Sequence, residues 1–230
     1  MMMPSMDDVP AAVDFHFDVM CPWAYRTSIW MREVRDRAGV DVTWRFFSLE
    51  EVNREDGKPH PWERPWSYGW SLLRIAARLN RDDHELVDRW YERAGRALHA
   101  ERTPVHDPDV ARTLLAEIGV DPRVLDEALE DPTTHDDVRA DHQRVIDAGG
   151  WGVPTLFFGD EECFFGPVIL DPPVGDEAVE LYRLVAAMRR FPTLYELQRP
   201  KQPADLDRIT EQFASYLETR AWRTIQNETP

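Results

Sequence analysis

Between residues 13 and 46 the chain changes hydrophobic period twice. Val13-Asp14-Phe15-His16-Phe17 is apolar at alternate positions, the period of a strand. Tyr25, Ile29, Trp30 and Val34 then recur at helical spacing, and Val40, Val42, Trp44 and Phe46 return to alternation. Pro22 suits a first helical turn, where its missing N–H leaves no bond unmade, and Gly39 stands where a helix stop belongs. A strand, a helix and a strand joined by links this short make a βαβ unit. Its two strands must run parallel, with a right-handed crossover.

From about Glu50 to Gly149 the pattern is helical, with no clear strand. Pro65 opens an expected helix bearing Trp66, Trp70, Leu73 and Ala77, and Asp82 or Asp83 caps the next. Asp107-Pro108 and Asp121-Pro122 each read as an N-cap followed by proline at the first helical position. Thr133 or Thr134 starts a helix ending at Gly149-Gly150. Pro154–Phe158 and Glu162–Phe165, linked through Gly159-Asp160, then read as a hairpin. Asp176 to Arg190 is an amphipathic helix, and Leu206, Ile209, Phe213 and Tyr216 share helical spacing in the tail. The expected fold is therefore α/β, a thioredoxin-type architecture with a helical domain inserted midway. Residues 12–55 and 150–200 would form the discontinuous thioredoxin-like domain, 56–149 the helical insertion and 201–230 a helical tail.

A chain of 230 residues that is 43% hydrophobic can build a sizeable core. Its formal charge of −16 disfavours nucleic acid and anionic lipid as partners, and no apolar run approaches a membrane span. Met1 to Pro10, with Asp7 and Asp8, lacks the basic and apolar regions of a signal peptide. Two cysteines make no disulfide framework, so the expected location is a reducing cytoplasm. Lys58 and Lys201 are the only lysines, a bias that points to GC-rich coding.

Cys21 is the leading chemical candidate, because it lies after a strand and at the start of a helix. Unpaired N–H groups and the positive dipole end favour an anion there. A dipole contribution of about 1–2 kcal/mol corresponds to roughly one pKa unit. Thiols so placed fall to about 3.5–7.5, so the expectation is a Cys21 that is mostly thiolate at neutral pH. The alternative is a buried structural cysteine.

Phe17-Asp18-Val19-Met20-Cys21-Pro22-Trp23-Ala24-Tyr25 resembles the active-site segment of DsbA-like thiol-disulfide oxidoreductases. The closest branch contains the FrnE-type proteins and the mycothiol-dependent reductases of actinobacteria. Gly152-Val153-Pro154-Thr155 is similar to that family's cis-proline loop, and Phe164-Phe165-Gly166-Pro167-Val168 to its following hairpin. Ser48 to Asn53 and Phe191 to Arg199 also resemble family segments, so the likeness runs from roughly residue 12 to 200. The resemblance implies that Cys21 attacks as a thiolate and that a cis Pro154 faces it. It further implies that Val153 offers backbone hydrogen bonds to an extended thiol substrate, with Thr155 beside it. Without Cys21 in view, Pro154 reads more readily as an ordinary strand-start proline.

The family pattern is Cys-Pro-Trp-Cys, and here Ala24 holds the fourth position, so no second thiol stands ready to release a mixed disulfide. Cys163 is the other sulfur, and on a hairpin it reads as a packing residue. Three readings follow. One is a monothiol oxidoreductase with no bound cofactor, whose intermediate is resolved by mycothiol or glutathione as co-substrate; GC-rich coding favours mycothiol. Its partners are a small-molecule thiol or disulfide, or an electrophile. The second is a relative of kappa-class transferases and 2-hydroxychromene-2-carboxylate isomerases, which binds a thiol cofactor without linking to it. The third is a non-catalytic binding module, or an engineered replacement that traps a mixed disulfide. Trp62, Trp66 and Trp70, with Trp23 and Tyr68, either wall an aromatic substrate pocket or form a core stripe. Asn53 is either a polar site residue or a turn former. The seven histidines, His99 and His106 included, show no metal-ligand spacing with the cysteines. The sequence leaves oligomeric state open.

Overall fold

The computed structural model describes residues 10–159, 162–214 and 216–218; Asp7, Asp8, Asp160 and the tail past 218 lie outside them. The expected first unit forms: β1 (Ala12–Phe17), α1 (Pro22–Ala38) and β2 (Asp41–Phe46). Gly39 ends α1 in the left-handed region at φ 67°, its N–H returning to Arg35 O at 2.9 Å. β1 and β2 pair in parallel, Val13 opposite Val42 and Phe17 opposite Phe46. β3 (Thr155–Phe158) pairs antiparallel with β1, and β4 (Glu162–Phe165) antiparallel with β3, giving the order β2-β1-β3-β4. α8 (Asp176–Ala187) completes the ββα half and continues as a single 3-10 turn, Met188–Arg190. This is the thioredoxin fold with its two halves joined along β1 and β3.

The sheet's alternation decides what each face holds. Phe15, Phe17 and Trp44 are fully buried and cluster with Tyr91, whose ring stacks on Phe17 at 3.9 Å. Burying each such side chain is worth about 1.5–3 kcal/mol. Tyr91 belongs to the insertion, so the inserted helices and the sheet share one core. The opposite face carries His16 and Phe157, over which the Arg144 guanidinium lies 4.2 Å from the Phe157 ring while also pairing with Asp14.

Between β2 and β3 run α2 (Leu49–Val52), α3 (Trp70–Asn80), α4 (His84–His99), α5 (Pro108–Glu117), α6 (Val124–Glu130) and α7 (Thr133–Asp147). Asp83 and Asp107 cap α4 and α5 as read, accepting Glu85 N at 2.9 Å and Asp109 N at 2.8 Å. Two starts differ. α3 begins after Gly69 instead of at Pro65, because the Glu50 carboxylate accepts the N–H groups of Gly69 and Trp70, each at 3.1 Å. A cap supplied from about twenty residues upstream leaves no local signature. Likewise Asp121 accepts Arg123 N at 2.9 Å in a turn that delays α6 to Val124. Arg74, nearly fully buried, fastens α3 to the end of α6 through the carbonyls of Ala128, Leu129 and Asp131. Helix C-termini favour such a cation.

α4 also crosses α1 closely. A Cβ added at Gly95 would stand 2.6 Å from Tyr25 Cδ2. One turn on, His99 stacks on Tyr25 and donates from Nε2 to Val19 O at 2.9 Å. Tyr25 and Val19 flank the Cys21 segment, so the insertion bears directly on it. α9 (Pro203–Gln212) forms in the tail, with Leu206 exposed and Phe213 buried.

Candidate active site

β1 ends at Phe17, and one turn carries the chain to the start of α1. The turn is held by Asp18, whose carboxylate accepts Met20 N at 2.9 Å and Leu49 N at 2.7 Å and whose carbonyl accepts Cys21 N at 3.0 Å. Cys21 is therefore the N-cap of α1: its Sγ accepts Ala24 N at 3.4 Å, with Pro22 next in the first turn. Across from it the Val153–Pro154 peptide is cis, and Cys21 Sγ donates to Val153 O at 3.4 Å. Residues 132 positions apart are thus brought into contact by the pairing of β1 with β3. Thr155 opens β3 fully buried, its hydroxyl donating to Gly152 O at 2.7 Å and so bracing the loop.

The ionisation expected for Cys21 is corrected here. Cys21 is only 4% exposed, and burial pushes its thiol up to about 12, with the Asp18 carboxylate adding to the rise. The N–H groups of Ala24 and Trp23 oppose this without reversing it. In this arrangement the sulfur is a neutral thiol, consistent with its donation to Val153. Helix position alone said nothing of desolvation, and desolvation wins. Burial also raises Asp18 to about 7, its two N–H donors opposing and the nearby Glu50 carboxylate assisting.

Next to the turn that precedes Cys21 lies a small cavity of about 60 Å³, lined by Asp18, Met20, Leu49, Glu50, Asn53, Tyr68 and Tyr216. Asn53 and Tyr68 both line this cavity. Asn53 is also the C-cap of α2, its side-chain amide donating to Leu49 O at 2.8 Å. Trp70 and Trp66 do not wall the cavity. Trp70 is fully buried, its indole N–H donating to His135 Nδ1 at 2.8 Å and its ring tilted against Trp62. Half-buried Trp66 donates to His106 O at 2.9 Å, within the insertion. Trp70 opens α3 within the core, and Trp62 and Trp66, in the chain before α3, pack partly buried against it. Cys163 lies on the outer strand opposite Phe157, two register positions from the Thr155–Phe165 pair next to Pro154. Both cysteines are free.

Residues the sequence reading did not single out complete the surroundings. Glu50 is buried and paired with Arg64 at 2.7 Å. Phe213 meets Trp23 edge-on at 4.6 Å, with Lys201 Nζ 6.0 Å from the same ring. The only local clue to Glu50 was its place in the Ser48–Asn53 segment. For Phe213 it was the helical spacing of the tail.

Among solved structures the chain is similar to a 2-hydroxychromene-2-carboxylate isomerase, at 16% identity and TM-score 0.56, covering 78% of this chain and 95% of that one. It is also similar to the cytosolic disulfide reductase DsbM of Pseudomonas aeruginosa, solved with GSH, at 14% identity and TM-score 0.54, covering 77% and 98%. These likenesses establish the fold, which DsbA-like oxidoreductases share. An uncharacterized Mycobacterium tuberculosis protein, Rv2286c, is 58% identical over 213 residues, 93% of this chain and 92% of that one. Residues 20–199, from the turn before Cys21 to the end of the segment after α8, match the family model described as mycothiol-dependent nitroreductase Rv2466c, and the chain belongs to that Rv2466c-like family.

Proposed function

We propose that this protein is a cytoplasmic thiol oxidoreductase in which Cys21 is the single reacting sulfur and mycothiol, or glutathione in its place, is the second thiol. The observation carrying this reading is the contact between Cys21 Sγ, at the N-terminus of α1, and Val153 O beside the cis Pro154. Cys21 first loses its proton, then attacks a disulfide R–S–S–R. The Cys21–S–SR bond forms while the other half leaves as thiolate and takes up a proton. A low-molecular-weight thiol R′SH, deprotonated in turn, attacks the mixed disulfide, restoring Cys21–SH and releasing R–S–S–R′. Reduction of a nitro group, the activity in the family's description, would take two electrons from two R′SH, giving a nitroso product, R′–S–S–R′ and water.

The neutral thiol is set free as substrate arrives. Displacing Cys21 from Val153 O leaves that carbonyl to accept a hydrogen bond from the incoming extended thiol. The sulfur keeps the Ala24 N–H and the helix N-terminus to receive its negative charge. Asn53 and the cavity beside Cys21 would hold the rest of the small thiol. A second reading takes its support from the same high pKa: a Cys21 that stays protonated positions a thiol cofactor for transfer or isomerisation and never links to it.

Intact-mass analysis after incubation with oxidised glutathione separates the two. The oxidoreductase gives one adduct, mapped to Cys21 and lost in Cys21→Ser. Thiol-dependent turnover of an electrophile with no adduct overturns that reading in favour of the second.

A further inference from the structure

The family model ends at residue 199, yet the chain runs on and folds back over the motif. α9 is tethered by Arg208 to Asp171 at 2.5 Å, so it does not hang free. Just past it, Phe213 is 8% exposed and meets the Trp23 ring edge-on, two residues from Cys21. Tyr216, a turn further, lines the cavity that also takes in Asp18 and Met20, just ahead of Cys21 in the chain. These contacts come from different residues of the tail, and both fall on the Asp18–Trp23 segment that carries Cys21. Phe213 is moreover the buried apolar residue of a segment whose Leu206 and Leu217 stay half exposed. The tail's apolar contact is thus made at the motif in preference to the body of the protein.

We infer that the tail from Lys201 through Phe213, with Tyr216, is a specificity element: it rims Cys21 so that a small thiol or disulfide reaches it and a protein disulfide does not. The inference rests on Cys21 being the reacting sulfur. Size decides the matter. A helix with its side chains is about 10 Å across, so α9 and the turn after it stand well above the surface they cover. A protein disulfide carries its sulfurs only about 3 Å from its own Cα atoms, since the Cα atoms it joins are about 5.5–6 Å apart. Its backbone would have to descend inside the rim before the sulfurs met. A free tripeptide-sized disulfide has no surrounding fold to collide. A chain with Ala24 in place of the resolving cysteine gains from this exclusion, because a captured protein would wait on a second thiol for its release.

The test measures the rate of mixed-disulfide formation at Cys21 in the full chain, in a Cys163→Ser background, by peptide mass mapping. Oxidised glutathione is the small probe and insulin the protein probe. Phe213→Ala and Arg208→Ala, one removing the buried contact with Trp23 and the other the exposed tether, are compared with the parent, and thermal melting checks that the fold is kept. The expected result is that the preference for glutathione over insulin falls by about tenfold in each variant. A preference unchanged within about twofold in both variants, with adducts forming, overturns the specificity role and leaves Cys21 as nucleophile. Absence of any adduct in parent and variants alike overturns the nucleophile reading and this inference with it.

Discussion

The two cysteines sit one strand pairing apart from the same β3 segment and could hardly be less alike. Cys21 is 4% exposed, held between Ala24 N–H and Val153 O at 3.4 Å each. Cys163, on the edge strand, is half-buried and lies 3.9 Å from Ala148 O. Burial raises the pKa of both thiols. The more exposed sulfur sits two register positions from the cis-proline loop, and the sulfur placed at both the helix N-terminus and that loop is covered. Accessibility marks where a reagent lands first; the helix terminus and the cis-proline loop mark the sulfur proposed to react.

Removing each sulfur in turn would test that contrast most severely. Cys21→Ser should cut adduct formation with oxidised glutathione by about a thousandfold or more, while Cys163→Ser changes it less than twofold. Equal losses would erase the distinction. Asp18 separates the two environments electrostatically, and its effect reads out in stability. Its folded pKa of about 7 lies above the unfolded carboxylate value of 3.8, so the unfolded chain gives up its proton first. Stability should accordingly fall as pH rises from about 4 to 7, by up to about 4 kcal/mol from this group. Asp141, raised by burial to about 6, adds to the fall, whereas His16 and His99, lowered to about 3 and 4, act oppositely. Urea titrations of the parent and Asp18→Asn at pH 5 and pH 8 isolate the one carboxyl, and identical pH slopes would contradict this account.

Ala24→Cys would give Cys21 the partner that Cys163 is too far along the sheet to be. The lifetime of the glutathione adduct should shorten by roughly a hundredfold as an intramolecular attack replaces a bimolecular one. An unchanged lifetime, followed by mass spectrometry, would mean that more than a sulfur is missing. The smallest effect expected is in simple alkylation. Iodoacetamide at pH 8 should label Cys163 about tenfold faster than Cys21 in the folded protein and equally in urea.

How much of this was legible depended on the range of the interaction involved. β1, α1 and β2 were readable because alternation, helical spacing, Pro22 and Gly39 are all local. Asp83 and Asp107 were readable as caps for the same reason. The start of α3 was not, since Glu50 caps it from across the fold. Trp66 and Trp70 carried a spacing that fits a pocket wall or a core equally, and only the partners of their indole N–H groups, His106 and His135, decide between them. Cys21 was found by its motif, yet its protonation was misjudged, because desolvation depends on neighbours such as Val153 that lie far away in sequence. The tail's spacing announced a helix without saying where Phe213 would land.

Gly95 sets a limit on how this protein can be altered. With no side chain there, α4 lies against the ring of Tyr25, and a methyl group would have to occupy space that ring already fills. The insertion is thereby keyed to the Cys21 segment by a missing atom. Substituting Gly95, on a helix that carries no part of the motif, would wedge α4 outward and draw His99 off Val19, loosening the turn that presents Cys21.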